Sequence, residues 1–323
     1  MKRRSFLSAL GATALASRSF ASAPHSFAGK QLRFVIPYNA GGVADSSARI
    51  GLEGLQTALG SGVVVFDNRP GANGNIGTEY VTRQPADGTN FLVIPSSQLT
   101  TNSFVPELRI KGIDVLERFV PVAPLVDIPL VLMVNADSGI QSFADFMRKA
   151  KASQLRFGNP GVGTPHHLAA LLLEKHTGVR MIHVAYKGGA PMVADLAGQH
   201  LDAVFSSWST AHGLVTAGKL KPLGSLQSGT AFGGLPSLNG ELGGSSVPTW
   251  TGIFAVVGTP EGAMDAVNQA TRTALLSPQL EARIKDLGLV PMPMSRAKSA
   301  AKLKEEARFM RGFLGKIQLD FSK

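Results

Sequence analysis

Short apolar segments alternate with helix-like patterns along most of this chain after residue 30. Continuous apolar runs occupy residues 32–37, 63–66 and 91–95, and the first two lead through turns into stretches with helical periodicity. A strand that leads through a helix to the next strand builds a sheet with helices on its faces, and such strands tend to run parallel. The alternation therefore predicts an α/β protein whose sheets are mostly parallel and flanked by helices.

Two places in the sequence indicate that the chain passes from one domain to another. An apolar region that begins near residue 119 is interrupted at Asp127-Ile128-Pro129, and a weakly periodic Gly/Ser-rich stretch ends at Thr249-Trp250-Thr251. A length of 323 residues also fits two domains. We predict two lobes: residues 31–128 and 251–323 form lobe 1, and residues 129–250 form lobe 2.

The first 23 residues have the pattern of an export signal. A basic start, Lys2-Arg3-Arg4, precedes a short apolar stretch, and Ala21-Ser22-Ala23 forms a small-x-small cleavage site. Arg3-Arg4 also fits the twin-arginine pattern, although an ordinary secretory signal with two arginines has the same features. We predict cleavage before Pro24 and a mature protein in the periplasm.

Composition and motifs argue against several classes of function. Basic residues exceed acidic ones by ten, but four of the bases precede residue 24, so the remaining excess of six gives little reason to predict nucleic-acid binding. Cysteine is absent, which excludes disulfides and thiolate metal sites. No Gly-x-Ser-x-Gly, phosphate-loop or His-Glu-x-x-His motif occurs, and His166 replaces the third glycine of a dinucleotide fingerprint. We predict no enzyme activity and no cofactor, and no metal, because the spacing of His166, His167 and His183 is not typical of ligands.

Two glycine turns are unusual because each leads from a predicted strand into the start of a helix. One runs from Pro37 to Asp45, and the other runs from Gly158 to Pro165. Glycine lets main-chain amides approach a ligand closely, and the start of a helix adds unpaired N–H donors. One such turn is an ordinary connection of an α/β fold, but two of them in different lobes predict an anion held between the lobes. Asp45 and Thr164 are expected to cap the helices, and Asp45 to order its turn.

The same residues resemble the Bug family of extracytoplasmic solute receptors, the binding components of tripartite tricarboxylate transporters. The resemblance covers nearly the whole mature chain, and the order and spacing of its motifs make it specific. The matching segments are Pro37 to Arg49, Asp67 to Gly77, Ala86-Asp87-Gly88, Gly161 to Pro165 with His167-Leu168, His183 to Pro191, Trp250, and Gly258-Thr259-Pro260.

This resemblance implies a two-lobe periplasmic binding protein, a Venus flytrap, that closes on a small carboxylate and delivers it to membrane permease subunits. It implies that main-chain amides of the two turns hold the carboxylate, often with bridging water. The matching positions are Tyr38, Gly41, Gly42, Val43, Ala44, Asp45, Gly161, Val162, Gly163 and Thr164, with Asp202 as a further contributor. Val43-Ala44 replaces the small polar residue and threonine that the family often carries, so the identity of the solute stays open.

Two other functions are compatible with the same sequence. A ligand-binding partner of a membrane sensor would use the same cleft for signalling, and the sequence does not separate it from a transport receptor. An enzyme on the same scaffold is the other alternative, but the sequence contains no identifiable pair of nucleophile and base.

Overall fold

The computed structural model describes residues 26–41, 43–226, 232–244, 247–317 and 319. The predicted export signal and Gly42 lie outside these residues. The described residues form eleven strands in two sheets. In chain order the strands are β1 (Gln31–Ile36), β2 (Val63–Asn68), β3 (Asn90–Pro95), β4 (Phe119–Asp127), β5 (Leu130–Asn135), β6 (Arg156–Asn159), β7 (Ile182–Ala185), β8 (Ala203–Ser207), β9 (Leu220–Ser225), β10 (Thr251–Val256) and β11 (Val290–Pro291).

The two sheets divide the strands according to their place in the chain. The first sheet has the order β11-β4-β10-β3-β1-β2, and the second has the order β7-β6-β8-β5-β9. The first sheet therefore contains strands from both ends of the chain, whereas the second contains only strands from the middle. This arrangement confirms the predicted two-lobe α/β class.

Both sheets are mixed and not mostly parallel as predicted, because the strands beside the crossings run against their neighbours. β1 is parallel to β2 and β3, and β6 is parallel to β7 and β8. In contrast, β10 is antiparallel to β3 and β4, and β5 is antiparallel to β8 and β9. A strand that enters directly from the other lobe needs no crossover helix within its own sheet, so it can pair antiparallel. The carboxyl ends of the parallel strands lie at the end of each sheet where the chain passes from one lobe to the other.

Twelve helices of the described chain surround the sheets. They are α1 (Val43–Gly51), α2 (Leu55–Leu59), α3 (Asn75–Thr82), α4 (Ser96–Phe104), α5 (Val115–Arg118), α6 (Phe143–Ala152), α7 (Pro165–Thr177), α8 (Gly189–Ala197), α9 (Trp208–Thr216), α10 (Glu261–Leu275), α11 (Pro278–Asp286) and α12 (Arg296–Leu314). The segment after the first glycine turn forms two helices, α1 and α2, and not one continuous helix. Gly54, with φ of 80°, directly precedes α2, a left-handed conformation that interrupts a helix.

Each sheet has its own hydrophobic core, and α12 reaches both. Phe34 and Phe91 stack in the core of the first sheet, and Phe157 packs against Phe205 in the second. Within α12, Leu303 belongs to a cluster on the first sheet, whereas Met310, Phe313 and Leu314 belong to the core of the second. The last helix therefore connects the lobes beside the two crossings, while the residue boundaries of the lobes stay a prediction.

Side chains at the two crossings are joined by hydrogen bonds. The Thr249 hydroxyl donates to the carboxylate of Asp127, which links the outgoing and the returning segments. The indole N–H of Trp250 donates to Glu306 of α12 at 2.8 Å, and Lys302 lies 2.9 Å from the same carboxylate. Burial raises the pKa of Asp127 and of Glu306, and Lys302 offsets only part of this effect.

Replacing Glu306 by Gln should reduce the pH dependence of stability. A carboxyl whose pKa is raised by folding binds its proton more tightly in the folded state, so the free energy of unfolding falls as the pH rises through the raised pKa. Glutamine keeps an acceptor for Trp250 but does not ionise. Urea unfolding followed by circular dichroism should show that, between about pH 4.5 and 7, the free energy of unfolding declines less for the variant than for the wild type.

The matched control is Glu305→Gln, because Glu305 is exposed on the same helix. The Glu305→Gln variant should show the same pH dependence of the free energy of unfolding as the wild type. Equal slopes for wild type and Glu306→Gln would contradict the assignment of this pH effect to the buried carboxyl beside the crossing.

Candidate functional site

The first glycine turn connects β1 to α1 and is shaped by Asp45. The carboxylate of Asp45 accepts hydrogen bonds from the main-chain amide of Gly41 at 2.9 Å and from the side-chain amide of Asn68 at 2.8 Å. Gly41 has φ of 81°, which glycine adopts without strain. Because α1 begins at Val43, Asp45 lies inside the first helical turn and does not precede the helix as predicted. Its predicted role in ordering the turn is confirmed by the bond to Gly41.

Arg49 holds the same carboxylate one helical turn later. Its Nε lies 2.9 Å from Oδ2 of Asp45, its Nη2 donates to Oδ1 of Asn68 at 2.6 Å, and its guanidinium sits over the ring of Phe66. Burial alone would raise the pKa of Asp45, but hydrogen bonds from Arg49, Asn68 and Gly41 hold that pKa below its ordinary value. The charge of Asp45 is therefore neutralised within the protein and does not oppose an anion in the cleft.

The second glycine turn connects β6 to α7 and is shaped by Thr164. The Thr164 hydroxyl donates to the carbonyl of Gly161 at 2.7 Å and accepts a long bond of 3.5 Å from the His167 amide. Thr164 is the residue before the helix and Pro165 is its first residue, which confirms the predicted cap. The proton of the hydroxyl is thus used inside the turn.

The side chain of His167 accepts a hydrogen bond from one main-chain amide of the second turn, and another amide of this turn stays unpaired among the described residues. The Gly163 amide donates to Nδ1 of His167 at 3.2 Å. Burial, followed by the charge of His183, lowers the pKa of His167 to about 4, so its ring is neutral and accepts at Nδ1. Within the described chain, the amide of Val162 has no hydrogen-bond partner. Val162 therefore supplies the donor of this turn that is free for a ligand.

The second turn lies against α4 of the first lobe. A Cβ placed on Gly163 would lie 3.3 Å from Cδ1 of Leu108 and 3.7 Å from Cγ2 of Thr101. The helix α4 starts directly after β3, which is the parallel neighbour of the strand that leads into the first turn. The first turn and the start of α4 therefore lie at the same end of the first sheet, and the second turn packs against the later part of the same helix; we call the region between these elements the cleft.

The other residues predicted to bind the ligand at the first turn are Tyr38, Gly42, Val43 and Ala44. The carbonyl of Tyr38 accepts from the side-chain amide of Asn68 at 3.0 Å, its ring packs into the core of the first lobe, and burial raises the pKa of its phenol. Ala44 is half-buried in the first turn of α1. Gly42 and the side chain of Val43 lie outside the described residues.

Asp202 is not part of this cleft. Its carboxylate accepts from the main-chain amide of Arg156 at 2.8 Å and from the guanidinium of the same residue at 3.1 Å. Arg156 is the first residue of β6, whereas the second glycine turn follows the last residue of that strand. Asp202 thus lies at the opposite end of the sheet, and the structure does not bring it together with the residues of the two glycine turns.

Sequence reasoning missed the polar residues that follow the other strands of the first lobe. Asn68, at the end of β2, joins Tyr38, Asp45 and Arg49. In α4, the hydroxyls of Ser96, Ser97 and Thr101 are buried beside the cleft. A segment rich in serine and threonine directly after a buried strand was the available signal.

The part of the chain that the structure describes contains no group of three or more His, Asp or Glu side chains placed to hold a metal ion. None of the helices in this part is long and apolar enough to span a bilayer. The rings of His167 and His183 pack edge-on at 5.1 Å, and Nε2 of His183 lies 3.5 Å from Glu174.

Comparisons with known proteins agree with this fold. The family described as "Tripartite tricarboxylate transporter family receptor" matches residues 47–317. BugT of Bordetella pertussis is 31% identical over 260 residues, which cover 78% of each chain. A Pseudomonas protein named for the tcbD-tcbE intergenic region is 30% identical over 294 residues, or 89% of this chain and 86% of its own. The solved structure of Rpa4515 from R. palustris with adipate superposes with a TM-score of 0.76 at 27% identity, covering 89% of this chain and 98% of the other.

Two helix-covered sheets joined by two crossings, with a glycine turn of one lobe facing a helix of the other, define a two-lobe solute-binding protein. Within that class, the chain belongs to the receptor family of tripartite tricarboxylate transporters, which confirms the resemblance to the Bug receptors.

Replacing Thr164 by Val should destabilise the protein by about 0.5–2 kcal/mol, because the change removes a helix cap and the bond to Gly161 while the shape is kept. Thr164→Ser retains the hydroxyl and is the matched control, with most of the stability preserved. Urea unfolding of both variants measures the difference. Equal stability of the valine and serine variants would show that the hydroxyl does not hold this turn.

Proposed function

We propose that this protein captures a small carboxylate in the cleft between its lobes and delivers it to the permease subunits of a tripartite tricarboxylate transporter. The observation that carries the proposal is the free amide of Val162, in a glycine turn at the start of α7 that faces the other lobe. Unpaired N–H groups and the positive end of a helix dipole favour an anion at such a position.

The ligand contacts that we propose come mainly from the main chain of the two turns. On the first lobe these are the amides of Gly42, Val43 and Ala44, and on the second lobe that of Val162. Hydrogen bonds to a carboxylate are roughly twice as strong as those between neutral groups, so a few amides suffice. Asp45 contributes indirectly, because its bond to Gly41 orders the turn. A relative of this chain has been solved with adipate, a carboxylate, which supports this class of ligand.

We propose a binding role without a chemical step. A hydroxyl becomes a good nucleophile when a base accepts its proton, but the Thr164 hydroxyl donates its proton to the carbonyl of Gly161 and not to a base. Nδ1 of the neighbouring His167 already accepts from Gly163. We favour transport over a sensor partnership because the matching family is that of a transporter receptor.

We also propose that residues 1–23 direct export to the periplasm and are then removed. The intact mass of protein recovered from the periplasmic fraction should correspond to a chain that starts near Pro24. Changing Arg3-Arg4 to Lys-Lys should stop export if the twin-arginine route is used. Full-length protein that keeps Met1 and stays in the cytoplasm would contradict the export proposal.

A thermal-shift panel of carboxylates, amino acids, sugars and cations tests the ligand class. A ligand at a hundredfold excess over its Kd should stabilise the fold by about 2.7 kcal/mol, because it binds only the folded state. We expect this shift from at least one small carboxylate. A shift from a sugar or a cation and from no carboxylate would contradict the proposed function.

Gly163→Ala should weaken carboxylate binding by about tenfold, equal to about 1.4 kcal/mol. The added methyl group would press on Leu108 across the cleft at 3.3 Å and shift the second turn. Gly139→Ala is the matched control, because both glycines have φ of 76° and a Cβ at Gly139 would meet open space. Both variants should lose similar stability from backbone strain, and only Gly163→Ala should lose affinity in calorimetric titration. Equal affinities for the two variants would place the ligand away from this turn.

A further inference from the structure

One face of α4 is directed toward the second lobe. Phe104, Val105 and Leu108, at and just beyond the end of the helix, pack against the core of the second sheet. Thr101 lies one helical turn earlier on this face, and its methyl group would be 3.7 Å from a Cβ on Gly163. Ser97 lies one further turn toward the start of the helix. The face therefore changes from apolar contacts at its end to hydroxyls at its start.

These hydroxyls are buried without partners. The residues Ser96, Ser97 and Thr101 are at most 2% exposed. Ser96 Oγ, Ser97 Oγ and Thr101 Oγ1 have no hydrogen-bond partner within the described residues. An unsatisfied buried hydroxyl is costly, so each of the three requires a partner, which a molecule bound in the cleft would supply.

Other hydroxyls of the same helix show that pairing is available there. Thr100 donates to the carbonyl of Ser97 at 2.9 Å, and Ser103 donates to Asp114 at 3.3 Å. These two side chains belong to the rest of the helix and not to the face that meets Gly163. The unpaired groups are thus confined to the start of α4 and to the face directed at the second lobe.

We propose that Ser97 and Thr101 form a second subsite, which binds the distal carboxylate of a dicarboxylate whose first carboxylate is held by the two glycine turns. This inference rests on the proposed function and adds to it the residues that select for a second charged group. Each hydroxyl donates to one carboxylate oxygen, and the positive end of the α4 dipole favours negative charge at the same place.

The proposed subsite selects against a monocarboxylate of the same length. A methyl group in place of the second carboxylate would leave both hydroxyls buried and unpaired. A site that is built to hydrogen-bond a polar group discriminates strongly against the analogue that lacks it. The receptor therefore prefers a diacid, even though the α4 side chains that form this subsite are neutral.

Calorimetric titration with two matched pairs of acids tests the subsite. The pairs are succinate with butyrate and adipate with hexanoate, and the proteins are wild type, Ser97→Ala and Thr101→Val. In the wild type, the better diacid should bind about 100-fold more tightly than its monoacid. Each substitution should reduce that ratio by about tenfold, mainly through weaker binding of the diacid.

Thr100→Val is the matched control, because it removes a hydroxyl of the same helix that is already paired. It should keep the wild-type ratio, and thermal midpoints of all variants establish that they fold. An unchanged ratio in Ser97→Ala and Thr101→Val would overturn the subsite, since the hydroxyls would then bind only water. Binding of 3-hydroxybutyrate as tightly as the diacid would overturn the requirement for a second carboxylate. If no acid binds wild type, the proposed function itself fails; tight binding of monoacids alone refutes only the subsite.

Discussion

The cleft depends on how a small number of main-chain N–H groups are divided between the protein and its ligand. The Gly41 amide is bonded to Asp45 and the Gly163 amide to His167, so these internal acceptors fix the two glycine turns. Fixing the turns leaves the neighbouring amide of Val162 unpaired beside the start of α7. Donors that are held in place before the ligand arrives cost little ordering free energy when it binds.

The two crossing segments and α12 join the lobes that carry these turns. The crossing segments are joined through Asp127 and Thr249, and α12 binds the second segment through Glu306 and Trp250. Because α12 packs on both cores, movement of one lobe against the other must be accommodated by this helix and the crossings. A ligand that touches both lobes shifts the population toward the closed state, since it binds that state better.

Local sequence patterns predicted the two-lobe class and both glycine turns, because strand–turn–helix units are encoded by neighbouring residues. They did not predict α4, whose hydroxyl-rich sequence has low helix propensity; burial between lobes stabilises it. They also missed Asn68, whose partners in α1 lie about 20 residues away in sequence. The position of Asp202 apart from the two turns has a different origin, since its partner Arg156 is 46 residues away in sequence.

A crystal structure with the carboxylate that stabilises the protein most tests the central claim directly. The account predicts one carboxylate group within hydrogen-bonding distance, about 2.7–3.2 Å, of the Val162 amide, with the lobes closed around the ligand. It also predicts that Asp45 keeps its bonds to Gly41 and Arg49 in the complex. A carboxylate bound instead on the outer surface between α1 and α11, where Arg49 and Arg283 line a groove, would contradict the account.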